Sequence, residues 1–393
     1  MPGITLSAKA SRLAQRGRIW FFRDDLAEAD VDHGDLVSVH GPGSRSHGLG
    51  LYSQSSRLAL RLCGSWSGTA PPTPEEFFAA RITSAIERRP GAREPRVGRR
   101  LVHGDADGLP GLIIDKYADC LCLQVSAAAV EAHLDCIVPS LVAALTPRMV
   151  LARNDLTIRK QEALPLEIRL LHGRRCEHVE IEENGIFHPI DLYRGHKTGF
   201  YLDQRPARLL LSSLAAGRRV LDLFSYQGGF GLSALAGGAL SALCVDQSAE
   251  ALQRAQGAAD RNRLSGLRLQ RANAFDFLRD LRKSKEQYDL VIVDPPAFAT
   301  SRAQVEGGVR GYRDLNRQAM RVLSPGGMLL TCSCSHHISS SMFEDTLRQA
   351  ARDLPFRMII RQRLGAGRDH PISLNLPESE YLKVILLQRL DLP

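Results

Sequence analysis

The residues best placed to do chemistry begin with Asp222-Leu-Phe-Ser-Tyr-Gln-Gly-Gly-Phe-Gly231, an acid ahead of a glycine-rich loop, with Asp246 about twenty residues on. Glycines let a backbone approach a ligand closely, and an acid at the end of the next strand meets ribose hydroxyls, so the spacing predicts a nucleoside-bearing cofactor. Within the loop, Gly229-Phe-Gly231-Leu-Ser-Ala234 also matches G-x-G-x-x-A, so a nicotinamide oxidoreductase is a rival reading. Asp222 weighs against it, because a carboxylate suits a cationic amino-acid moiety and repels a pyrophosphate. Asp294-Pro295-Pro296-Ala297-Phe298 is an acceptor followed by a rigid turn, which aims the acid into a crevice. Cys332 and Cys334 offer thiolates, although the usual role of a cytosolic cysteine is that of a small buried apolar residue. Cys120/Cys122 and Cys332/Cys334, even with His336 and His337, make a poor start on a zinc tetrahedron, and no metal is expected.

These residues need a doubly wound sheet to position them. From Gly217 onward, Arg219–Phe224, Ala242–Asp246, Leu267–Gln270, Tyr288–Asp294 and Gly327–Cys332 read as strands, separated by helical stretches at Leu232–Ala236, Ala249–Asn262, Phe275–Leu281 and Tyr312–Leu323. Alternating β and α with short loops predicts a mostly parallel α/β sheet, whose ligand sits at the carboxyl ends of the strands. Cys332 and Cys334 are expected on its fifth strand, on one face by the period of two.

The first half reads differently. Gly34–His40, Leu51-Tyr52 and Leu58–Leu62, with the glycine-rich Gly41–Gly50 between, predict a small β-barrel over residues 1–72. Pro71-Pro-Thr-Pro74 is a linker signal, and Glu75–Arg89 carries helical periodicity. Strands around Gly104–Gly108, a helix over Val130–Leu145 and a hairpin turning at Asn184-Gly185 complete an α+β domain over 73–190. The third domain is expected over 191–393.

The chain has 393 residues, 44% hydrophobic and 24% charged, which suits a soluble multidomain protein. No apolar run spans a bilayer and no secretory signal opens the chain, so a cytoplasmic location without membrane attachment is expected. The net charge of +8 comes mostly from arginines such as Arg93, Arg96, Arg99, Arg100, Arg174 and Arg175, and favours a polyanionic partner weakly.

Several segments in order carry a family resemblance: Gly195-His-Lys-Thr-Gly-Phe-Tyr-Leu-Asp-Gln-Arg205, the Asp222 loop, Val293-Asp-Pro-Pro-Ala-Phe298, Thr331-Cys-Ser-Cys-Ser-His336, and Asp369-His-Pro371 with Leu376-Pro-Glu-Ser-Glu-Tyr-Leu-Lys383. Together they resemble the bacterial RlmI-like large-subunit rRNA methyltransferases, in which a PUA domain and a small α+β domain precede a class I methyltransferase domain. The resemblance implies S-adenosylmethionine as cofactor and C5 of a cytosine in 23S rRNA as acceptor, in naked rRNA or a large-subunit assembly intermediate. A homodimer is a candidate assembly.

Carried over by position, the resemblance implies that Lys197, Thr198, Phe200, Gln204 and Arg205 cover the cofactor. Asp222, Phe224 and Gly228 then flank its methionine end, and Asp246 takes the ribose. Asn273 stands where the family has aspartate against the adenine amino group; its amide oxygen still accepts that bond. Cys334 is the implied nucleophile and Cys332 the buried neighbour, since C5 of cytosine reacts only after a thiolate adds at C6. Asp294, also near the cofactor, then holds or protonates N3, with Pro295, Pro296 and Phe298 against the base. The group that removes the C5 proton is not evident: some RNA cytosine methyltransferases use a second cysteine where this chain has Ala297, and His336 and His337 are the nearby candidates. A transfer to a ring or exocyclic nitrogen, with Phe298 stacking on the base, is the alternative.

Overall fold

The computed structural model describes every residue except Asp30, Thr69, Leu392 and Pro393, so those positions of the expected barrel and C-terminal domain lie outside the described residues. Contacts divide the chain into two compact units. The N-terminal unit comprises Met1–Glu182, Ile190–Leu202 and Arg368–Ser379; the C-terminal unit comprises Glu183–Pro189, Asp203–Gly367 and Glu380–Pro393.

The N-terminal unit starts with β1 (Gly3–Leu6), α1 (Ala8–Gln15), β2 (Trp20–Phe21), β3 (Leu26–Ala29), β4 (Leu36–Gly41), β5 (Arg45–Tyr52) and β6 (Leu60–Gly64). Its strands form a six-stranded sheet in the order β2-β6-β5-β4-β1-β3. The glycine-rich stretch expected as a loop is largely strand: β5 begins at Arg45, and its irregular pairing with β4 falls beside Gly48, whose φ of 96° only glycine adopts readily.

Next come α2 (Pro74–Glu87), β7 (Gly98–His103), β8 (Leu112–Tyr117), β9 (Cys120–Val125), α3 (Ala128–Glu131), α4 (Leu134–Leu145), β10 (Met149–Asn154) and β11 (Glu167–Gly173). Thr73 and Glu76 close a capping box at the start of α2, as the sequence signal requires. The expected single helix over Val130–Leu145 is two helices that break at Ala132-His133. Strands β7 to β11 form a second sheet, and β10 and β11 have no counterpart in the sequence reading. Leu36, Leu49 and Leu51 of the first sheet share one apolar core with Phe77, Ile82, Leu101 and Ile114, so the barrel and α+β regions fold as one body. Polar bonds reinforce it: Arg61 pairs with the buried Glu162 at 2.7 Å, and the half-buried Trp20 indole donates to Asp105 at 2.7 Å.

The hairpin β12 (His178–Glu183) and β13 (Ile186–Asp191) turns at Asn184 and Gly185, both at positive φ, as the Asn-Gly signal predicts. The C-terminal unit then runs α5 (Arg205–Leu214), β14 (Arg219–Leu223), α6 (Gly229–Ala236), β15 (Ser241–Asp246), α7 (Ala249–Arg261), β16 (Leu267–Arg271), α8 (Ala274–Ser284), β17 (Tyr288–Val293), α9 (Val305–Arg321), β18 (Leu323–Ser333), α10 (Ser340–Ala351), β19 (Arg357–Leu364) and β20 (Lys383–Leu390). Its seven-stranded sheet has the order β16-β15-β14-β17-β18-β20-β19. The first five strands are parallel and β20 runs antiparallel between β18 and β19, which makes the doubly wound, Rossmann-like α/β fold that the sequence predicts. The strand order reverses between β14 and β17, and the loops after those two strands open at that switch point. Apolar residues cover both faces, Leu221, Val291 and Leu329 on one and Val220, Leu290 and Leu330 on the other, as a buried parallel sheet requires.

Candidate active site

Asp222 lies within β14, one residue short of its end, and has no solvent exposure. Its Oδ2 accepts from the Gly231 amide in the first turn of α6 at 3.0 Å, while its buried Oδ1 has no partner. Burial pushes the Asp222 carboxyl up to about 7, and the nearby Asp294 and Asp246 carboxylates push the same way. A buried acceptor without a donor, surrounded by negative charge, is a seat for a cationic or hydrogen-donating ligand group.

The loop after β14 is built to bring backbone close. Phe224 (φ 60°) and Tyr226 (φ 49°) hold left-handed conformations that are rare for bulky residues, and Gly228 (φ 69°) caps α6. A Cβ on Gly231 would stand 2.4 Å from the Cys244 sulfur, so only glycine fits where α6 crosses β15. Asp246, at the end of β15, accepts from the Tyr226 amide at 2.8 Å and the Ser248 amide at 2.9 Å, and so fixes the loop as well as offering its remaining lone pairs. Asn273 caps α8: its Oδ1 accepts from the amides of Phe275 and Asp276 at 2.9 and 3.4 Å.

The loops after β17 and β18 meet. The Asp294 Oδ2 accepts from Gln204 Nε2 at 3.0 Å, and the other amide atom of Gln204, Oε1, is buried without a partner. Arg205 lies 3.5 Å from Glu183, which Arg208 also grips at 2.5 and 2.9 Å, so the start of α5 is anchored by a buried carboxylate. The Cys334 sulfur lies 4.0 Å from the Pro295 carbonyl, and Ser335 Oγ receives the Ala299 amide at 3.3 Å. β18 ends at Ser333, so Cys334 lies just beyond the strand rather than on it, and strand alternation does not govern its direction. Cys334 is half-buried; Cys332 is fully buried and its thiol is pushed far up by burial. His336 and His337 are exposed, His336 stacked on Tyr381 with ring centres 5.4 Å apart. Pro295 is buried and Pro296 exposed. Phe298 packs at 4.6 Å from Tyr312 and 6.1 Å from Phe275, which in turn meets Phe224 at 6.4 Å. The sequence reading opens a helix at Phe275 and gives it no role at the site; its position in the first turn of α8, two residues after Asn273, is the signal for one.

Three expected cofactor residues belong to the N-terminal unit, although the sequence reading assigned residues 191–202 to the C-terminal domain. Thr198 is fully buried, donating to Asp115 at 2.6 Å and bonding the Tyr117 hydroxyl at 2.8 Å. The Phe200 amide donates to the Tyr117 hydroxyl at 3.1 Å. Lys197, at φ 53°, lays its ammonium over the Tyr201 ring at 4.6 Å. The returning segment at Asp369 likewise accepts from the Arg100 amide at 3.0 Å.

Residues 99–371 match the model of the S-adenosylmethionine-dependent methyltransferases, and residues 4–63 match that of a PUA-like domain. Proteins named Ribosomal RNA large subunit methyltransferase I are similar along nearly the whole chain: 38% identity over 377 residues in Aeromonas salmonicida, covering 94% of both chains, and 37% over 389 residues in Shewanella frigidimarina, covering 97% of both. The chain belongs to the large-subunit ribosomal RNA methyltransferase I family of S-adenosylmethionine-dependent methyltransferases. A solved structure described as a methyltransferase complexed with S-adenosylhomocysteine shares its fold, with a TM-score of 0.84 at 22% identity over 99% of this chain and all of that one. A Streptococcus mutans protein described as a SAM-dependent methyltransferase superposes with a TM-score of 0.81, also at 22% identity over 99% of this chain and all of that one.

The dinucleotide reading of Gly229–Ala234 thus gives way to S-adenosylmethionine, and the residues of this methyltransferase fit that group. The unpartnered Asp222 Oδ1 suits its ammonium, and the positive-φ residues turn the chain sharply between β14 and α6. Among the described residues, no helix is long and apolar enough to cross a membrane.

Proposed function

We propose that this methyltransferase adds a methyl group to C5 of a cytosine in 23S rRNA through a covalent bond between Cys334 and C6. The observation that carries the reading is the half-buried Cys334 sulfur beside the Pro295 carbonyl, which brings a thiol to the Asp294-Pro-Pro turn at the end of the neighbouring strand. The names of the relatives supply the acceptor, large-subunit ribosomal RNA. The bound cofactor supplies an electrophilic methyl group.

In this reading Asp222 receives the cofactor's ammonium, Asp246 its ribose hydroxyls, and Phe224 and Gly228 line the methionine end. Asn273 meets the adenine with the Nδ2 amide group that its helix cap leaves free, or with the second lone pair of Oδ1. Gln204 holds Asp294, whose protonated carboxyl donates to N3 of the cytosine and gives up its proton to the negative charge that develops there as sulfur adds to C6. Pro295, Pro296 and Phe298 shape the place of the base. Arg205 acts indirectly, by anchoring α5 to Glu183. Thr198 and Phe200 serve the fold of the N-terminal unit, because Asp115 and Tyr117 already occupy their polar atoms, and Lys197 belongs to that same segment. The PUA-like domain and the surplus arginines dock the RNA through its phosphates, with naked rRNA or an assembly intermediate as the substrate.

Methylation of unmodified 23S rRNA by two cysteine variants tests the reading. Cys334→Ala abolishes transfer, and Cys332→Ala retains it. Full activity in Cys334→Ala rejects the adduct and moves the acceptor to a ring or exocyclic nitrogen.

A further inference from the structure

Lys383 opens β20 and pairs in register with Ser333, the residue before Cys334. Its Nζ donates to the carbonyl of Ser335, the residue after Cys334, at 2.8 Å, and to the carbonyl of Tyr381 at 2.8 Å. Lys383 is therefore tied to the chain on both sides of the cysteine, by strand pairing before it and by its amine after it. Lys383 is only 5% exposed. A lysine is almost never buried so far without an acidic partner, yet both of its bonds run to neutral carbonyls, and Glu380 acts on it only at longer range.

Two carbonyls engage two N–H bonds of Nζ whether the group is an amine or an ammonium. The third position then carries a lone pair in one form and a proton in the other. Among the charged groups acting on Lys383, the Cys334 sulfur has the largest influence, while burial holds the lysine down at about 8. An amine so poised beside a thiol exchanges a proton with it near neutral pH.

We propose that Lys383 accepts the Cys334 thiol proton and holds the resulting thiolate as an ion pair, which rests on the reading of Cys334 as the nucleophile. The Sγ–H bond breaks, a third N–H bond forms on Nζ, and the sulfur keeps the electron pair that it delivers to C6. The buried cation thereby gains the anion that the rest of its surroundings withhold.

Other titratable groups face this corner. Asp294 beyond β17 adds negative charge that pushes the neighbouring Cys332 thiol up, and Glu380 ahead of β20 pushes Lys383 up and so favours its cation. Cys332 on β18 and Tyr312 on α9 are both kept neutral, chiefly by burial. Tyr381 ahead of β20 gives its hydroxyl to Asp203 at 2.6 Å, and the exposed His336 stacks on the Tyr381 ring. Lys383 is the group bonded to the backbone of the cysteine segment itself.

The test is the rate of iodoacetamide alkylation at Cys334 in the full chain, followed on its own peptide by mass spectrometry from about pH 6 to about pH 10. The wild-type inflection falls at least about one unit below the ordinary thiol value of about 8.5. Lys383→Met raises it by about one unit or more, slowing alkylation about tenfold at neutral pH, and Lys383→Arg restores most of the loss through its fixed positive charge. Retained S-adenosylmethionine binding shows that each variant is folded. An unchanged profile in Lys383→Met overturns the proposal, and so does a wild-type inflection at or above the ordinary value, a measurement that needs no variant to fold. Failure of the underlying reading is separate: it shows as methylation that survives Cys334→Ala.

Discussion

The loop after β14 and the corner after β18 both lie at strand ends of the same sheet, but they are made in opposite ways. The loop is the more local: Asp222, three left-handed residues and the start of α6 lie within ten consecutive positions, and its bonds close over 9 positions to Gly231 and 20 to Asp246. The corner is assembled from afar. Cys334 meets Pro295, 39 positions away, and Lys383 reaches Ser335 across 48. A local device uses backbone geometry, which few residue types can supply. An assembled one uses side chains and carbonyls that are ordinary until the sheet brings them together.

If the two regions are separable in this way, damage to one should spare the other. The largest effect is expected for Asp222→Ala, which on the proposed assignment removes a charge-assisted contact of about 2–3 kcal/mol and should weaken S-adenosylmethionine binding roughly a hundredfold in calorimetric titration. Alkylation of Cys334 should continue unaltered in that variant, and Cys334→Ala should bind the cofactor normally. A shared loss would merge the two regions into one device. Next, Gly231→Ala forces a Cβ to 2.4 Å from the Cys244 sulfur and should cost about 1–3 kcal/mol, read as a lowered thermal midpoint.

A smaller effect follows from pH. Asp222 is raised to about 7, so below that pH it is protonated and cannot pair with an ammonium. Cofactor affinity should therefore fall by up to about tenfold between pH 8 and pH 6, and a flat profile would remove Asp222 from the ammonium. For stability without cofactor the sign is the reverse. The unfolded carboxyl ionises near 4 and the folded one near 7, so this group's contribution is fully present below the unfolded value and is lost as pH rises through that window. The smallest effect is at Asn273. Asn273→Asp keeps an equally good helix cap and should change the thermal midpoint little, whereas Asn273→Ala should cost about 1 kcal/mol. A change of more than a few fold in cofactor affinity for Asn273→Asp would show that the adenine reads this position.

Legibility followed the same division. The doubly wound sheet, the Asn184-Gly185 hairpin and the Thr73 capping box were readable because each rests on periodicity or on neighbours in sequence. Strands β10 and β11 were not, since they are stabilised by partners brought from elsewhere in the chain rather than by turn signals of their own. The partners of Thr198 and Phe200 were not legible for a related reason. Their motif reads as ligand-facing, but Tyr117 and Asp115, more than eighty positions earlier, already use their polar atoms.

By itself, the sequence determined the local outline of a nucleoside-bearing cofactor's seat: an acid, a glycine-rich turn, and a second acid at the end of the next strand. Those features depend on short-range sterics, which every copy of that string obeys. Only the tertiary structure decided which acid is buried without a partner, that Cys334 lies past its strand while Cys332 lies within it, and that a buried lysine is tied to the cysteine segment. Burial and long-range contact set those properties, because desolvation acts on a group through everything packed around it, and one chain position does not reveal what the others will place there.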